Sequence, residues 1–87
     1  MEKRIAVVTG ASRGIGFEIA NALIDDGFFV VGSATSESGV EKIKAQLGEQ
    51  GTAFVLNLSD ADSCQAFAAS AQEQGVVSVV VNNAGIT

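Results

Sequence analysis

An α/β fold built on a parallel sheet is predicted for this 87-residue chain from three features. Short apolar runs alternate with helical patterns, four runs and three patterns in all. The runs are apolar throughout, the pattern of strands covered on both faces. Glycines cluster directly after the first run, and paired side-chain amides directly after the last. With right-handed crossovers, the expected sheet has four parallel strands in spatial order 3-2-1-4. The first two helices then share one face and the third lies on the other. Three helices scarcely cover such a sheet, and the last strand is left as an apolar edge. The sequence reads as the first half of a doubly wound domain. Residues 1–87 form its N-terminal part, with the remainder of the domain absent from this chain.

Arg4–Thr9 is the first predicted strand, and Gly14–Asp26 the first helix, with Ile15, Ile19 and Leu23 on one face. Gly27 is its stop signal. Phe28–Gly32 is the second strand, and Ser33–Glu37 a polar loop. Ser38-Gly39-Val40-Glu41 has capping-box spacing, so a helix is expected to begin there. Val40, Ile43 and Leu47 form its apolar stripe, and Gly48 or Gly51 ends it. Ala53–Leu56 is the third strand. A third helix begins within Ser59–Asp62, where two acids suit the helix dipole. Cys64, Phe67, Ala68 and Ala71 occupy one face of it, and Gly75 ends it. Val76–Val81 is the fourth strand.

Composition narrows the function. Apolar residues are 47% of the chain, too many for a disordered segment. Five basic residues stand against ten acidic ones, a net charge of −5, which argues against nucleic acid as a partner. A single cysteine and no histidine leave no internal disulfide and no zinc site of the usual kind. Met1-Glu2-Lys3-Arg4 leads into a short strand-like run, not a signal peptide. No apolar stretch is long enough to span a membrane. A cytoplasmic location follows as an expectation, which makes the sequon Asn57-Leu58-Ser59 incidental. Cys64, on an apolar helix stripe, is expected to pack in the core.

The glycine cluster carries chemistry. Thr9-Gly10-Ala11-Ser12-Arg13-Gly14-Ile15-Gly16 joins a buried strand to a helix. A phosphate at a helix N-terminus meets free backbone amides and the positive end of the dipole. Gly10 permits the tight turn, Gly14 close approach of a pyrophosphate, and Gly16 close packing of helix on strand. The layout is that of a dinucleotide site, with spacing G-x-x-x-G-x-G. The second strand has no acid at its tip to take a ribose 2′-hydroxyl; Glu37 is the nearest, several residues into the predicted loop. Arg13 suits a 2′-phosphate by charge and by its forked geometry. Ser33 and Thr35 add hydroxyl donors. The cofactor expected is NADP(H) rather than NAD(H).

Together, Thr9 to Gly16 and Asn82-Asn83-Ala84-Gly85 resemble the two motifs of the short-chain dehydrogenase/reductase family, about 70 residues apart in the expected strand contexts. The resemblance spans the whole chain. It is greatest to the family's 3-oxoacyl-[acyl-carrier-protein] reductases, on Gly32-Ser33-Ala34-Thr35-Ser36-Glu37-Ser38-Gly39, Leu56-Asn57-Leu58-Ser59-Asp60 and Asn82 to Thr87. It implies a Rossmann fold and reduction of a 3-oxoacyl thioester on acyl carrier protein by NADPH, in fatty-acid synthesis. It also implies a homotetramer for the complete enzyme. By resemblance, Ser12 and Arg13 hold the adenosine-side phosphates and Ile15 lines the cofactor channel. Thr35 sits near the 2′-phosphate, and Asn57 and Leu58 flank the adenine. Asn83, Ala84 and Gly85 run beside the ribose and nicotinamide, while Asn82 braces the sheet.

Two departures stand out. Ser78 occupies a position where the family usually carries Asp before the last strand's apolar run. The catalytic Ser, the Tyr-x-x-x-Lys pair and a further Asn are expected beyond Thr87, so no catalytic residue is assigned within this chain, which has no Tyr. A short-chain reductase of another carbonyl substrate, and a catalytically dead nucleotide-binding fragment, are the alternative readings.

Overall fold

The computed structural model describes residues 4–10, 14–57 and 59–81, with 14 and 15 described by their backbone. Among these residues the order is β1 (Arg4–Val8), α1 (Gly14–Asp25), β2 (Phe29–Ala34), α2 (Glu37–Leu47), a 3-10 turn (Gly48–Gln50), β3 (Gly51–Val55), α3 (Ala61–Glu73) and β4 (Val76–Val81). The strands form one parallel sheet in the order β3-β2-β1-β4. The expected topology is thus observed.

Each face has its own core. Ala6, Val8, Val30 and Ala34 pack under Ala20 of α1 and under Val40, Ile43 and Leu47 of α2. Ile5, Val7 and Val31 pack with Leu56 under Phe67 and Ala71 of α3. The first two helices therefore share one face and the third covers the other. Phe54 meets Phe67 edge to face, with centroids 6.4 Å apart. Cys64 is half-buried against this second core, as its place on the apolar stripe predicts. Beside α3, an apolar hollow of about 340 Å³ lies open between Phe67, Ala71, Val77 and Val80.

Local chemistry sets the helix ends. After α1, Gly27 has φ +93; its amide donates to the Ile24 carbonyl at 2.9 Å and the Phe28 amide to Leu23 at 3.0 Å. That pair is a glycine-closed Schellman end. Arg4 secures the same corner, its guanidinium 4.5 Å from the Phe28 ring centroid and donating to the Asp26 carbonyl at 3.4 Å. Asp60 caps α3, its Oδ1 accepting from the amides of Asp62 and Ser63.

Two boundary shifts take Ser33 and Glu37 out of the predicted loop. α2 begins at Glu37, not at the Ser38 capping box: Ser36 is the cap, its Oγ accepting from the Gly39 amide at 3.3 Å. Glu37 therefore lies in the first helical turn and not in a loop. β2 continues through Ser33 to Ala34, because β3 pairs with it as far as Ala34↔Val55. The other ends fall within two residues of prediction, with β4 as expected.

Gly48, φ +60, ends α2, and Gly51 opens β3. A Cβ on Gly51 would lie 2.5 Å from the Val30 carbonyl oxygen and 2.6 Å from Leu47 Cδ1. Gly51→Ala should therefore lower unfolding stability by about 1–3 kcal/mol, the cost of overpacking a close backbone contact. An unchanged urea midpoint would contradict this.

β4 carries a bulge. Ile5 pairs with Val77 but Ala6 pairs with Val79, so Ser78 is an extra residue on the edge strand. Side-chain direction switches there: Val77 packs on the α3 face, whereas Val79 and Val81 pack on the α1–α2 face. Ser78 is exposed and lies inside the strand, within the predicted range Val76–Val81.

Candidate functional site

The sheet's C-terminal edge gathers the tips of all four strands. β1 ends beside β2 at Val8↔Gly32 and beside β4 at Val8↔Val81. Thr9, buried, holds β4 twice: its amide donates to the Val81 carbonyl at 3.1 Å and its Oγ at 3.4 Å. Gly10 follows with φ +66, a left-handed conformation that glycine adopts without steric cost. α1 then begins at Gly14, and Gly16 is buried in its first turn. Gly10 thus adopts the left-handed conformation expected of a tight turn.

At the next tip, Thr35 is exposed between β2 and the Ser36 cap. β2 carries no carboxylate at its end; the first acid, Glu37, is exposed in the opening turn of α2. At the third tip, Asn57 is exposed after β3. Its Oδ1 accepts from the Ser59 amide at 3.1 Å and the Ser59 hydroxyl at 2.7 Å, while its backbone N–H donates to Ser63 Oγ at 3.0 Å. Both carbonyl lone pairs of the side chain are thereby used, and its NH₂ group remains as the donor. Gly10, Thr35 and Asn57 thus stand on one edge, at the tips of adjacent strands. Ser12, Arg13, Leu58, Asn82, Asn83, Ala84 and Gly85 lie outside the described residues, as does the side chain of Ile15.

Ser33 departs from its expected role. It is not a loop residue offering a hydroxyl to a 2′-phosphate. It is 2% exposed within β2, and its Oγ accepts from the Gly10 amide at 3.1 Å. Sequence reasoning missed this because the polar residue looked like the end of the strand. The available signal was position: counting from Val31, Ser33 falls on the same strand face, one residue short of Ala34.

Comparison with known proteins decides the family: residues 4–87 match the short chain dehydrogenase family. The chain belongs to that family. Its parallel sheet is accordingly the N-terminal half of a short-chain dehydrogenase's Rossmann fold. The chain is 47% identical over 88 aligned positions to 3-oxoacyl-[acyl-carrier-protein] reductase FabG of Vibrio harveyi. The FabG reductases of Haemophilus influenzae and Vibrio cholerae are 47% and 48% identical over the same length. All of this chain is covered in each case, but only 36% of the relative. The short-chain dehydrogenase half-sheet therefore spans about a third of those proteins. Among the described residues, no helix is long and apolar enough to cross a membrane.

Proposed function

We propose that this chain is the cofactor-binding part of an NADPH-dependent reductase acting on 3-oxoacyl-[acyl-carrier-protein], a cytoplasmic homo-oligomer of fatty-acid synthesis. The observation that carries the reading is the left-handed Gly10 turn between β1 and α1, at the same sheet edge as Thr35 and Asn57. The relatives, 3-oxoacyl-[acyl-carrier-protein] reductases, support the substrate class.

The residues present fit a phosphorylated dinucleotide. Gly10 turns the chain where a Cβ is disfavoured, and α1 opens four residues later. Helix N-termini favour phosphate through unpaired amides and the dipole. Gly14 would let the backbone approach the pyrophosphate and Gly16 let the helix pack close on the strand, with Ser12 and Arg13 at the phosphates and Ile15 lining the cofactor channel. Arg13 and the exposed Thr35 would take the 2′-phosphate, at a β2 tip without a carboxylate. Asn57 and Leu58 would flank the adenine, and Asn83, Ala84 and Gly85 the ribose and nicotinamide. When bound, NADPH supplies the hydride. No proton donor for the substrate carbonyl is assigned among these residues, and the chain has no tyrosine.

The test is a dinucleotide titration of the polypeptide carrying these residues, purified at its natural length, with its intact mass recorded. NADPH should bind more tightly than NADH. Arg13→Ala should weaken NADPH about 10- to 100-fold and NADH far less, as expected for losing a charge-assisted contact of about 1.5–3 kcal/mol. Equal loss for both dinucleotides would remove Arg13 from the 2′-phosphate, and no binding of either would sink the reading.

A further inference from the structure

We infer that Ser33 is a positioning residue that sets the glycine turn from below, through its buried hydroxyl. The β1–β2 ladder ends at Val8↔Gly32, so Gly10 has already left it. Past that point a side chain takes over: Ser33 Oγ, fully buried in β2, accepts from the Gly10 amide at 3.1 Å. On the opposite side Thr9 is bound to the Val81 carbonyl through both its amide and its hydroxyl. The entrance of the turn is thus held by both neighbouring strands, by β4 through Thr9 and by β2 through Ser33. Gly10 can be left-handed in many orientations. The Ser33 bond selects one of them and ties it to the sheet, so that Gly10 is oriented before a ligand arrives.

This inference rests on the dinucleotide reading of the turn and adds a residue to it. It separates Ser33 from Thr35, its near neighbour: Ser33 acts through the backbone of the turn, not on the 2′-phosphate. Its effect should therefore be the same for both dinucleotides, which share the pyrophosphate.

Ser33→Ala in the natural-length polypeptide should raise the Kd of NADPH and NADH by the same factor, about 5- to 100-fold, the span set by deleting one buried acceptor. Ser33→Thr, which keeps the hydroxyl, should restore most of it. In the turnover assay the loss should sit in the cofactor KM, with kcat retained at saturating NADPH. Hydrogen exchange gives a readout that needs no ligand: the Gly10 amide should exchange faster in Ser33→Ala, while the amides of Val7 and Val31 stay protected. Selective loss of NADPH would place Ser33 on the 2′-phosphate and overturn the inference. So would unchanged affinity, or unchanged protection at Gly10. If the unaltered polypeptide bound neither dinucleotide, the cofactor reading would fail on its own evidence. Gly10 protection would still decide whether Ser33 holds the turn.

Discussion

An 87-residue polypeptide of this sequence should show no NADPH oxidation with a 3-oxoacyl thioester, at any enzyme concentration that remains soluble. Reducing a ketone by hydride develops negative charge on oxygen, and a positioned acid must neutralise it. The chain has neither Tyr nor His. Lys42 and Lys44 are exposed on α2, with Lys44 in its last turn, near the end opposite the C-terminal sheet edge. The same polypeptide should also associate. β4 is an edge strand of five valines and one serine, with Val76 and Val80 exposed, and the apolar hollow beside α3 adjoins it. Such an edge is a template for pairing with another chain. Light scattering and an absorbance assay at 340 nm separate the two failures. Soluble, folded material that turns over substrate would overturn the catalytic argument. Soluble material that binds NADPH without turnover would mark the segment as a binding unit in its own right.

Deleting Val80 should be far more damaging than deleting Ser78, although both shorten β4 by one residue. Without Ser78, each remaining pair can persist: Val77 stays opposite Ile5 and Val79 opposite Ala6. Without Val80 there are two outcomes, and both are costly. Either Val81 moves to the α3 face and Asn82 replaces it beside Val8, or the strand slides and Ser78 enters the apolar layer beside Ala6. The expected loss is about 3 kcal/mol, combining lost valine packing with burial of a polar group. The Ser78 deletion should fall within about 1 kcal/mol of the parent, the range of ordinary surface changes. Urea unfolding of the two variants makes the comparison, and equal losses would show that the bulge does not set the register.

The comparison of sequence with structure follows the same physics. Strand–helix alternation, the helix stop at Gly27 and the strand order are local or topological, and the amino-acid pattern specified them, whereas it left Gly48 and Gly51 both open as the end of α2. The left-handed turn at Gly10 was also legible, because such a turn ahead of a helix leaves a glycine signature. Tertiary structure decided three other matters. β2 reaches Ala34 because β3 supplies a partner there, whereas Ser33 by itself resembles the start of a loop. Ser33 then faces inward and meets the Gly10 amide, a contact across 23 residues that no local pattern announces. In β4, Val76-Val77-Ser78-Val79-Val80-Val81 is nearly uniform, and a run of valines suits either sheet face equally. Alternation carries no register information when neighbouring residues are alike. Only the ladder with β1 places the extra residue at Ser78 and turns Val79 and Val81 to the opposite core from Val77.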